Sequence, residues 1–118
     1  MEFENRTPHS VTIFRADGTA LVIPKTIPAA RVETRPGVHL GEVNGVPIYG
    51  QSQFIGLVNL PDKRDGTVII VSQITALAVS ALHPERDDVV YPGVDPYDAP
   101  VRDATTGRMV AVRRLIRA

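Results

Sequence analysis

The sequence predicts an α+β fold: a mixed, mostly antiparallel β-sheet of hairpins, with one packed α-helix in a strand–helix–strand unit. Three observations carry this expectation. Asp17-Gly18 and Asn44-Gly45 each stand between apolar runs, the strongest short hairpin signal. Residues 74–82 repeat apolar side chains at helical spacing, the one long helical signal in the chain. The β-branched run Val68–Val71 precedes that segment, and Asp88–Tyr91 follows it as a second strand.

The chain has 118 residues with a net charge of zero, 43% hydrophobic and 22% charged, which is globular rather than disordered. That length suits one domain, 1–118, with a hairpin region over 11–60. The strand–helix–strand unit and a C-terminal hairpin follow over 61–118. There is no cysteine, so disulfides and thiolate metal sites are excluded, and a reducing compartment fits. The N-terminal segment MEFENRTPHS lacks the pattern of a signal or transit peptide. A cytoplasmic protein without a membrane partner is the expectation. Neutral net charge and 5% aromatic residues argue against a large nucleic-acid surface.

Each element has a local reason. Residues 1–10 read as a tail or a first edge strand. Val11–Ile23 reads as a hairpin, with Phe14 facing Leu21 if Asp17-Gly18 is a two-residue turn. Arg31–Thr34 reads as a short strand. VHLGEV and VPIYG flank Asn44-Gly45 as a second hairpin, in which Pro47 restricts its strand to an edge or a bulge. Gln51–Leu60 reads as a further strand, bulged near Gly56. Ser72 stands where strand gives way to helix, and its hydroxyl suits an N-cap. Ile74, Leu77, Ala78 and Ala81 form the expected buried face, widened by Val79 and Leu82. Pro84 stops the helix after His83. A last hairpin joins Val101–Asp103 to a strand over Arg108–Ile116, placing Arg113 and Arg114 on opposite faces.

Leu60-Pro61, Gly66-Thr67, Ile70-Val71-Ser72, Ala76, Ala78, Arg86-Asp87-Asp88, Val101-Arg102-Asp103 and Gly107-Arg108 follow one another along residues 59–117. In this order they resemble a family of small uncharacterised proteins encoded by tailed phages and bacteria. The resemblance covers half of the chain. It implies a phage or bacterial context and the strand–helix–strand unit, and it brings no activity with it.

The candidate ligand-binding residues are Ser72, Gln73, Arg86, Arg102 and Arg113. A helix N-terminus at a strand end offers free N–H groups and positive potential to an anion. Arginines on the segments after the helix could clamp a phosphate or carboxylate. Against this stand plain structural roles: Ser72 as a cap, Arg86 paired with Asp87 or Asp88, and sheet-surface arginines. No glycine-rich phosphate loop, nucleophile elbow or metal-ligand spacing occurs, so neither a cofactor nor a metal is expected, and no catalytic residue stands out.

The leading functional expectation is therefore a non-enzymatic module that binds an anionic small molecule such as a nucleotide. In a phage this would sequester a host signal. The alternative is a protein-interaction or structural module acting through oligomerisation and strand edges. A phosphodiester-cleaving enzyme using His83 ranks third. A homodimer is expected, because short hairpins leave edges to cover.

Overall fold

A computed structural model describes all residues, 1–118. It is mostly strand with one helix, an α+β architecture. The strands are β1 (Glu2–Asn5), β2 (Val11–Phe14), β3 (Ala20–Ile23), β4 (Arg31–Arg35), β5 (His39–Val43), β6 (Val46–Tyr49), β7 (Gln53–Val58) and β8 (Thr67–Ile70). After the helix α1 (Gln73–Leu82) come β9 (Val89–Pro92), β10 (Val101–Arg102), β11 (Met109–Ala111) and β12 (Leu115–Arg117).

The centre is a four-stranded sheet in the order β1-β8-β9-β12. β1 and β9 each run parallel to β8, and β12 is antiparallel to β9. The hairpins do not join this sheet. β2–β3, β4–β7, β5–β6 and β10–β11 are separate two-stranded antiparallel ladders. The expected single sheet is thus one small mixed sheet with ladders packed around it. The reason lies in Ile69, Ile70 and Val71, all wholly buried, which have apolar layers on both of their faces.

On one face Ile69, Val71 and Val89 pack with Ala76 and Val79 of α1, together with Leu57 and Leu60. On the other, Ile70 packs with Val11, Ile13, Ile23 and Val112. Val112 N–H donates to the Thr12 carbonyl at 2.9 Å, and Phe14 N–H donates to the Val112 carbonyl at 2.8 Å. These bonds tie the two ladders β2–β3 and β10–β11 into one covering layer. Asn5, fully buried, fastens that layer to β1. Its Nδ2 donates to the carbonyls of His9 and Ile23, at 2.8 and 3.0 Å, and its Oδ1 accepts from the Thr7 N–H and hydroxyl.

Three local expectations need correction. Phe14 pairs with Ala20, and Ile13 with Leu21. Arg15 N–H bonds to the Thr19 carbonyl, leaving a three-residue loop, and Asp17 accepts from both the N–H and the hydroxyl of Thr19. The extra loop residue shifts the register by one. Next, the C-terminal strand is broken. β11 belongs to the covering layer and β12 to the central sheet, so Arg113 and Arg114 lie in the bend where the chain changes layers.

The third correction concerns the helix. Its buried residues are Thr75, Ala76, Ala78 and Val79, whereas Ile74 and Leu77 are 55% and 51% exposed. Ala81 is exposed as well. Small side chains line the inner face and let the helix lie close to the sheet, so the larger ones turn outward. Ile74, Leu77 and Ala81 recur at helical spacing and form an uncovered apolar stripe opposite Val79.

Candidate functional site

Ser72 caps α1. Its backbone is extended (φ −66°, ψ 158°), and its hydroxyl lies 2.9 Å from the Thr75 hydroxyl and 3.4 Å from the Thr75 nitrogen. The cap is therefore satisfied within the first turn, and Gln73 beside it is exposed. Arg86 sits beyond the far end of a ten-residue helix, about 15 Å along its axis. Its guanidinium donates to both carboxylate oxygens of Asp88, at 2.8 and 3.0 Å, and to the Pro61 carbonyl at 2.9 Å. The bond to Asp88 raises the Arg86 pKa, and the same bond holds the Asp88 carboxyl below its ordinary value.

Arg102 donates to the Gly107 carbonyl of its own hairpin at 3.1 Å. Arg113 donates to the Ala99 carbonyl at 2.9 Å. Each candidate arginine is thus bonded to protein, and Arg86 and Ser72 lie at opposite ends of α1. Arg114 is the more telling neighbour. Its Nε donates at 2.6 Å to Asp98, a buried carboxylate, and its guanidinium lies 5.9 Å from the Tyr97 ring centre. His83, the third-ranked catalytic candidate, is the exposed C-cap, with Nδ1 3.5 Å from a Glu85 oxygen.

The unusual surface lies elsewhere. Residues 31–58 form one long ribbon, β4 paired with β7 at its root and β5 with β6 at its tip. The root packs against the core through Leu57, and Ala30 just before β4 is buried. Its ladder is bulged opposite Glu33 and Thr34, where Ile55 is the extra residue. The two halves of the ribbon meet at Gly37 and Gly50, where Gly50 N–H donates to the Val38 carbonyl at 2.8 Å. A Cβ on Gly37 would fall 1.9 Å from the Gly50 carbonyl oxygen, so this crossing admits only glycine there.

Beyond the crossing no residue of the tip is buried. Asn44 and Gly45, both at positive φ, make the tight turn that joins β5 to β6. His39 and Tyr49 close the base of the tip edge to face, with ring centres 5.1 Å apart. Val38, Leu40, Val43, Val46, Ile48 and Tyr49 are all exposed, Leu40 by 68% and Val43 by 61%. Isolated exposed apolar residues are ordinary, but six within twelve positions, spread over both faces of one protruding hairpin, are an unusual concentration. The sequence marks this hairpin through Asn44-Gly45 and Pro47, and nothing in it marks the ladder as uncovered.

No helix of the structure is long and apolar enough to cross a membrane. No family model matches the chain, and the searches of curated proteins and of solved structures returned no match either.

Proposed function

We propose that the protein is a protein-interaction module that assembles as a homodimer, with the β5–β6 tip serving as its arm. The observation that carries this reading is the amount of surface left open. A compact monomer of this mass exposes about 6,300 Å². This chain exposes 7915 Å², about 1,600 Å² more than that scaling gives. Its radius of gyration is 17.0 Å, against about 13.5 Å for a compact chain of this length. Two such excesses sum to about 3,200 Å², inside the range of obligate homodimer interfaces.

The arm contributes to this open surface. It carries apolar side chains into solvent on a hairpin that contributes nothing to either core cluster. The candidate arginines Arg86, Arg102 and Arg113 are each bonded within the chain, which favours the interaction reading over ligand capture.

Light scattering across micromolar concentrations tests this. The chain is expected at twice its mass of 12.8 kDa. Replacing residues 39–49 with a short Gly-Ser turn should give a folded monomer, since no residue of that segment is buried. A full-length chain that stays monomeric throughout would end the proposal.

A further inference from the structure

The two hairpins of the covering layer meet at one point and then part. β2 and the chain just after β11 run parallel and join at Ile13 and Val112, and this bridge stands alone. Extending its register backwards would set Val11 against Val110. Val110 is, however, the extra residue of the β10–β11 ladder, where Val101 pairs with Ala111 and Arg102 with Met109. A bulge bends its strand and disrupts pairing, which accounts for the parting. A wedge of about 310 Å³ lies between the two strands.

The wedge has a dry end and a wet end. Val11, Ala111 and Val112 are buried and form its floor, with Pro92 of β9 beside them. His9, Ser10, Met109 and Val110 are exposed and line its mouth, and Thr12 is half-buried between. The Thr12 carbonyl accepts from the Val112 N–H at 2.9 Å. In an extended strand a residue's N–H and C=O point to the same side, so the Thr12 N–H faces the wedge. The ladder that would have used this donor ends at the single bridge. The His9 carbonyl is held by Asn5 and Thr7, while its imidazole and the Ser10 and Thr12 hydroxyls hydrogen-bond to no protein group.

These walls select a ligand chemistry. No Asp, Glu, Lys or Arg lines the wedge, so a charged group entering it would lose water without gaining a counter-ion. Apolar walls with a few convergent polar groups are the ordinary form of a small-molecule site. A cavity of about 150 Å³ holds one benzene ring, so this one has room for a fused pair of rings. We infer that the wedge binds a neutral two-ring molecule bearing a carboxamide. Its rings lie on Val11, Ala111 and Val112, its carbonyl accepts from the Thr12 N–H, and its amide N–H groups reach the hydroxyl of Ser10 or Thr12. The occupant bridges the two hairpins where their own ladder stops. The site is separate from the arm and does not depend on self-association.

Naphthamide and naphthoate, alike in shape and different in charge, test this by amide NMR of the isotope-labelled full chain. The titrations are run at about pH 8, where an ordinary imidazole is neutral. Naphthamide is expected to give saturable shifts centred on the amides of Thr12, Ala111 and Val112, and naphthoate to bind roughly tenfold more weakly or worse. Ser10→Phe fills the mouth and Val110→Glu puts a charge on its wall. Both positions are exposed, so both variants should fold, with the circular dichroism of the wild type. Each should weaken naphthamide roughly tenfold or more. Shifts that do not saturate, that gather on residues 39–49 instead, or that are as large with naphthoate overturn the proposal. So does full naphthamide binding by both folded variants.

Discussion

Arg86 grips Asp88, two residues along the chain, through paired bonds of 2.8 and 3.0 Å, and both side chains are largely withdrawn from water. The pair sits where the chain leaves α1 for β9, and the Arg86 bond to the Pro61 carbonyl ties that corner to the segment before β8. Arg86→Ala leaves a buried carboxylate without its counter-ion. The expected loss is about 3–5 kcal/mol, read by urea denaturation. Exposed Arg102→Ala should stay within about 0.5 kcal/mol. Equal effects of the two substitutions would remove the structural role given to Arg86.

The same pair sets an acid limit. The bond from Arg86 depresses the Asp88 pKa below its ordinary 3.8, against the opposing effect of burial. A group depressed in the folded state contributes stability above its unfolded pKa and loses it as pH falls through the folded value. Stability should therefore decline below about pH 4, and Asp88→Asn should flatten that decline. An unchanged acid profile in Asp88→Asn would assign the limit to other carboxylates, such as Glu4. Burial pushes Glu4 up, but bonds from Arg64 and Arg6 outweigh it and leave its pKa lowered.

Asn5 uses its whole side chain. Both amide protons and the carbonyl oxygen are bonded, in a site with no exposure. Asn5→Ala removes the side-chain donor to the Ile23 carbonyl and the acceptor of the Thr7 N–H, and should cost at least about 2 kcal/mol. Thermal denaturation reads the loss. A neutral result would mean that water replaces the amide in that site.

Ile69 and Leu77 should separate cleanly. Ile69→Ala empties a wholly buried site and should cost about 2–5 kcal/mol. Leu77→Ala, at a site 51% exposed, should cost less than about 1 kcal/mol. Comparable losses would return Leu77 to the core.

Much of the local structure was legible because its cause is local. Asn44-Gly45, the Ser72 cap and the stop at Pro84 each depend on residues within one turn of themselves. The register of β2–β3 was not, since a two-residue and a three-residue loop share the same Asp17-Gly18. The buried face of α1 was misread for a different reason. Ile74, Leu77 and Ala81 share helical spacing with Ala78, and only the close approach of the sheet keeps Ala78 and Val79 inside, adds Thr75 and Ala76, and turns the other three outward. The arm is the largest gap. Asn44-Gly45 marks its turn, but nothing local to Val43 or Ile48 tells a covered ladder from an exposed one, and the chain leaves both exposed. For the ligand candidates, residue type named Arg86 while its partner Asp88 stood two places away, and the sequence alone could not choose between pairing and capture.

β1 has a further consequence, for biosynthesis. Its parallel partner is β8, and Glu2 pairs with Thr67 across more than half of the chain. At a synthesis rate of roughly 5–20 residues per second, β1 waits about 3–13 s for β8 to be made. The local hairpins can form within microseconds in that interval. A nascent chain halted before Thr67 therefore holds its ladders with no sheet to pack them on, and their apolar faces stand open to chaperones until translation resumes.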